Sequence, residues 1–117
     1  MQTAIRTIEI KDDLKKQMIL EIIADSYCRR ILCATTAKYC SVQTISEEEN
    51  IPLSTVYRRL HRLINEKILS VSGTIADNGK KNFFYKSKIK RILIENEDGK
   101  LKIEIVPNFT HDHLSRI

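Results

Sequence analysis

Apolar residues recur every three or four positions through the first half of the chain and every second position through the second half. Met1 to Ile10 alternates weakly, with Ile8 and Ile10 flanking Glu9, and reads as an edge strand or a frayed arm. From Asp12 a helix is predicted to about Ala24, with Leu14, Met18, Ile19, Ile22 and Ile23 as its apolar stripe. Asp12 and Asp13 place negative charge where a helix N-terminus favours it. Asp25-Ser26 then offers capping side chains for a second helix, Tyr27 to about Lys38, striped by Cys28, Ile31, Leu32 and Thr35. Ser41 caps a short helix, Val42 to Glu49, in which Val42, Ile45 and Glu49 share a face. Asn50 tolerates the left-handed turn that ends a helix, and Ile51-Pro52 forces an extended step. The fourth predicted helix, about Leu53 to Glu66, buries Val56, Leu60, Leu63 and Ile64 and spans roughly 21 Å.

After Lys67 the period drops to two. Ile68 to Ile75 and Asn82 to Lys86 read as the arms of a hairpin around Asn78-Gly79, a strong turn signal. Ile89 to Glu95 and Lys100 to Val106 form a second hairpin around Asn96-Glu97-Asp98-Gly99. In its second arm Leu101, Ile103 and Ile105 alternate with Lys102 and Glu104, as in a sheet with one wet face. Pro107 ends it, and a loosely held tail is expected from Asn108.

Composition narrows the class. With 117 residues, 42% hydrophobic and 30% charged, the chain is expected to form one domain, with a core over 12–90, the extra hairpin over 89–106 and the tail over 108–117. No apolar run approaches the ~20 residues of a membrane span, and Arg6 and Glu9 occupy what would be the apolar heart of a secretory leader. A cytoplasmic protein with no membrane association is expected. Cys28, Cys33 and Cys40 are too few and too irregular for a disulfide scaffold.

Charge changes the picture more. Net charge is +5, but between Tyr57 and Arg91 ten basic residues meet only Glu66 and Asp77, so that window carries +8 and the remainder −3. Such segregation fits either the footprint of a polyanion or a basic solvated face.

A short helix joined through Asn-Ile-Pro to a helix rich in Ser, Thr, Tyr and Arg follows the helix-turn-helix pattern, and a hairpin directly after it follows that of a wing. The stretch from Ile51 to Leu60 (IPLSTVYRRL), with Leu63 and Ile68-Leu69, resembles the winged helix-turn-helix of ArsR-type transcriptional regulators. The upstream run from Ile22 to Leu32 is similar to that family's first core segment. The resemblance covers about residues 14 to 90. It implies an α+β, mainly α, winged fold with a basic β-hairpin wing, to which this chain adds a C-terminal β-hairpin. It also implies a sequence-specific double-stranded DNA-binding protein, a transcriptional regulator acting as a homodimer on a near-palindromic operator. Leu53, Ser54, Thr55, Tyr57, Arg58 and Arg62 would then lie on the groove-facing side of the recognition helix, and Lys80 and Lys81 at the wing tip would hold the phosphate backbone. Two positions depart from the family pattern. Glu49 replaces an apolar residue, which is expected to loosen packing under the turn. Lys67 replaces a helix-ending glycine, at a cost of order 1 kcal/mol if its φ is positive.

Other chemistry is poorly represented. Cys28 and Cys33 are about 140° apart on one helix, which suits apolar filling better than a shared ion. His111-Asp112-His113 would need ligands from elsewhere. No catalytic triad order, phosphate-binding glycine loop or carboxylate pair stands out, so no enzyme, metal or cofactor is expected. Arg59 is read as pairing with Glu66 or solvent, and His61 as a surface residue. Two rival readings stand beside DNA binding: a winged-helix protein-interaction module without sequence-specific DNA binding, and a single-strand or RNA binder stacking bases on Phe83, Phe84 and Tyr85.

Overall fold

In the computed structural model, which describes residues 6–108, four helices precede two antiparallel hairpins. The order is β1 (Ile8–Ile10), α1 (Asp13–Ala24), α2 (Ser26–Thr36), α3 (Val42–Glu49), α4 (Leu53–Asn65), β2 (Leu69–Ile75), β3 (Lys81–Ser87), β4 (Ile89–Glu97) and β5 (Lys100–Pro107). The fold is mixed α+β, with helix at 43% and strand at 34%, a more even balance than the mainly helical expectation. The His111–His113 cluster and most of the expected tail lie outside the described residues.

The helix boundaries follow local capping. Asp12 accepts from the amides of Leu14 and Lys15, Asp25 from Tyr27, and Ser41 from Thr44. Each satisfies a backbone donor that the first helical turn leaves without a partner. α3 ends at Asn50, left-handed at φ 52°, and the Ile51 amide reaches back to the Ser46 carbonyl. α4 ends in the same way at Lys67, φ 62°: the Lys67 amide bonds the Ile64 carbonyl and the Ile68 amide that of Leu63. This is the double closure of a Schellman motif, with buried Ile68 and Leu63 as its apolar contact. The expected positive φ at Lys67 is therefore present.

Buried side chains of all four helices form one core with β1, β2, β4 and β5. The predicted α2 stripe, Cys28, Ile31, Leu32 and Thr35, is buried throughout. Leu14, expected in the α1 stripe, is instead 83% exposed, because α1 turns only Ile19 and Ile22 fully inward. Glu49 is half-buried and faces Arg30. Its carboxylate lies 3.7 Å from the Arg30 guanidinium, which also donates to the Glu49 carbonyl.

β2 and β3 pair from Leu69↔Ser87 to Ile75↔Lys81, and a bridge between Cys40 and Tyr85 adds a one-residue third strand from the loop before α3. The other sheet has the order β1-β5-β4. Its inner face carries Ile8, Ile10, Ile92, Ile94, Ile103 and Ile105 in register. The N-terminal segment is thus an edge strand from Ile8 to Ile10. The Lys88 amide bonds the Ile68 carbonyl and joins the two sheets, while the Asn108 side chain donates to the carbonyls of Thr36 and Ser87. Among the described residues no helix is long and apolar enough to cross a membrane.

Candidate nucleic-acid interface

Among the described helices α4 is the most strongly two-sided. Val56, Leu60 and Leu63 are at most 2% exposed. Ser54, Arg58, His61 and Asn65, at spacings of four, three and four, run along the opposite side and are exposed. The helix is held in this rotation by two ion pairs to the α1–α2 corner. Arg59 Nε lies 2.6 Å from Asp25 Oδ2, and Arg62 Nη2 lies 2.7 Å from Glu21 Oε1. Tyr27 stacks beneath the guanidinium groups of both Arg59 and Arg30, at 5.5 and 5.7 Å from its ring centre. Burial raises the Asp25 carboxyl, but the Arg59 hydrogen bond and the Tyr27 amide outweigh it and hold the pKa below its usual value. Hydrogen bonds from Arg62 and then Gln17 do the same for Glu21.

The eight residues expected to face DNA therefore separate. Leu53, Ser54, Tyr57 and Arg58 are exposed and Thr55 is half-buried. Arg58 has no hydrogen-bond or ion-pair partner among the described residues, so its guanidinium is available to a ligand. Arg62 differs. Although only about 40° from Arg58 around the helix, it leans toward α1 and is occupied by Glu21. Arg59 pairs with Asp25 rather than Glu66 or solvent, because the α1–α2 corner, not the end of α4, lies beside it.

Lys80 and Lys81 stand exposed at the tip of the β2–β3 hairpin. The turn is closed by bonds from the Ala76 amide to the Lys80 carbonyl and from the Gly79 amide to the Ala76 carbonyl. Gly79 takes φ 80°, and the Asn78 side chain accepts from the Lys80 amide. Both residues of the Asn-Gly signal thus shape the loop.

Between this hairpin and the helices runs an open groove of about 510 Å³. One wall is Ser41, Val42 and Gln43 at the start of α3, with Tyr57 of α4; the other is β3 from Lys81 to Tyr85, with Lys80. Tyr57, Lys80 and Lys81, read separately along the chain, share this groove. Ser41 and Gln43 were missed as site residues. Ser41 carried a signal, as a helix cap, but nothing local says that the capped end faces the hairpin. Burial, reinforced by Tyr57, pushes the Tyr85 phenol up. Lys86 covers the exposed Tyr39 ring at 5.7 Å.

Among the described residues no group of three His, Cys, Asp or Glu side chains is placed to hold a metal. Burial pushes the Cys28 thiol up to about 11, with Cys40 also raised, as for small apolar filling. Cys33, by contrast, is exposed. No family model matches the chain, and no curated protein matches it.

Proposed function

We propose that the chain is a winged-helix DNA-binding protein of the ArsR-like type: a cytoplasmic, homodimeric transcriptional regulator that reads double-stranded DNA. The observation that carries this reading is the shared groove, in which the start of α3, Tyr57 of α4 and the paired lysines of the β2–β3 hairpin face one another beside the exposed line Ser54, Arg58, His61. A duplex offers an anionic backbone at its rim and base-edge acceptors in a major groove about 12 Å wide, enough for one helix. α4 supplies hydroxyl, phenol and guanidinium groups to the base edges. Amides at the start of α3, together with Lys80 and Lys81, suit phosphates.

The roles within α4 follow from the ion pairs. Arg58 is the base-reading guanidinium, with Ser54, Thr55, Tyr57 and His61 around it. Arg62 and Arg59 fix the rotation of the helix. Selection of bound sequences from a random duplex pool tests the reading. The expected result is an enriched motif, with Arg58→Ala costing about 1–3 kcal/mol and relaxing one position of it. No enriched motif, or equal competition by single strands, overturns it.

One observation favours the interaction-module reading: Val71, Ile75 and Phe83 on the same hairpin are 45%, 71% and 48% exposed. Binding to duplexes without sequence preference would support it.

A further inference from the structure

Strand β4 pairs with β5 on one side only. Among the described residues, no backbone hydrogen bond joins its other edge, Ile89 to Glu97, to another strand. Long edges of this kind invite another strand unless charges, prolines or bulges guard them. Here a register shift between Ile89 and Arg91 disturbs the start of the strand, and Glu95 and Glu97 are at its end. Its middle, Ile92-Leu93-Ile94, is unguarded. Leu93 and Ile94 are each 41% exposed, although Ile94 lies on the inner face opposite fully buried Ile103. A largely apolar cleft of about 250 Å³ opens beside the same edge, lined by Ile89, Lys90 and Ile92 of β4 and by Arg29, Leu32 and Cys33 of α2.

The strand is complementary to itself. Antiparallel pairing of two copies about a two-fold axis sets each residue opposite one on the partner, and only registers centred on a residue keep facing side chains on the same side of the sheet. Centred on Leu93, the pairing puts Leu93 against Leu93, Ile92 against Ile94 and Arg91 against Glu95, each mixed pair occurring twice. A slip by two residues destroys this. It sets Arg91 against Leu93 in one direction and Leu93 against Glu95 in the other.

We infer that a second copy of this chain occupies the β4 edge, joined antiparallel about Leu93, so that the two three-stranded sheets become one of six strands. On the inner face, the partner's Ile94 sits beside Ile92 over the apolar cleft and covers surface that a single chain leaves wet. On the outer face, two Arg91–Glu95 pairs fix the register, since opposite charges directly across a sheet attract and like charges repel. This interface lies on the terminal sheet and stands independently of DNA binding.

Molar mass of the full chain in solution, measured without DNA at micromolar concentration, tests the inference. The parent is expected at twice the 13.6 kDa chain mass. Arg91→Glu and Glu95→Arg each place like charges opposite in both pairs and should raise the dimer dissociation constant at least about tenfold. An equal mixture of the two variants restores both opposite-charge pairs, so the dimer should return. Leu93→Lys, which sets two ammonium groups face to face on the axis, should also yield monomer; because Leu93 is outside the core, far-UV circular dichroism should match the parent. A monomeric parent, or a dimer that survives Leu93→Lys, overturns the edge pairing. Dimers that survive both single charge reversals, or a mixture that stays monomeric, overturn the register.

Discussion

The two hairpins are alike in length and pairing yet opposite in their relation to the core. In β4–β5 the inner residues Ile103 and Ile105 are fully buried, and the distal charges are mixed: Glu95, Glu97, Asp98, Lys100 and Lys102. In β2–β3 burial is confined to the base, Leu69 and Ser87, while Ile75 is 71% exposed and the tip carries Lys80 and Lys81. Apolar burial stabilises roughly in proportion to area removed from water. By that measure the first hairpin holds the molecule together and the second contributes little beyond its base. What the second offers is position: it carries two ammonium groups across a groove from α4.

This contrast can be broken by experiment. The largest expected effect is in the core-bound hairpin, where Ile103→Ala or Ile105→Ala should lose about 2–5 kcal/mol in urea unfolding. Val71→Ala in the other hairpin should stay within about 1 kcal/mol. Equal losses would mean that both hairpins are structural. Next in size is the corner that orients α4. Arg59→Met removes a charge-assisted hydrogen bond from partly buried Asp25 and should cost about 1.5–3 kcal/mol.

The same corner sets a pH response. Folding holds the pKa of Asp25 below the unfolded value of about 3.9, because hydrogen bonds from Arg59 and Tyr27 outweigh desolvation. The unfolded chain therefore binds the proton more readily. The stabilisation is complete above the unfolded pKa and disappears as pH falls through the folded one. Thermal melts of the parent should lose stability below about pH 4, and the loss should be smaller in Arg59→Met.

Lys80→Ala with Lys81→Ala should leave unfolding within about 0.5 kcal/mol of the parent. It should nevertheless weaken duplex binding and flatten its salt dependence by up to about 0.9 units of slope for each phosphate no longer neutralised. Anisotropy titrations at several salt concentrations read this directly, and Lys100→Ala with Lys102→Ala should change neither quantity. A matching effect at both tips would dissolve the distinction between the hairpins. The smallest expected change is a gain. Lys67→Gly relieves a side chain at φ 62° and should stabilise by up to about 1 kcal/mol in the same unfolding assay.

Local chemistry made much of the fold readable. The stripe Val56, Leu60, Leu63 and the caps Asp12, Asp25 and Ser41 were visible because helical period and capping depend on residues within four positions of one another. The turn at Asn78-Gly79 was readable, and the one expected over Asn96-Glu97-Asp98-Gly99 shortens to Asp98-Gly99. Gly79, Asp98 and Gly99 take the positive φ that restricts residue choice, while Asn96 and Glu97 continue β4 opposite Leu101 and Lys100. The exposed Leu14, and the split between Arg58 and Arg62, were not. Both depend on which element lies alongside, and α1 reaches Arg62 across 41 residues of sequence.

By itself, then, the sequence determined the order of helices and hairpins, the buried side of α4 and the basic character of its surroundings, all properties of near neighbours. Only the tertiary structure decided that Arg59 and Arg62 are held at the α1–α2 corner, that the start of α3 shares a groove with Lys80 and Lys81, and that, among the described residues, Arg58 stays open and β4 has one edge unpaired. Those outcomes arise from long-range packing. The chain's local pattern restricts such packing, but it does not specify which side chains come to face one another.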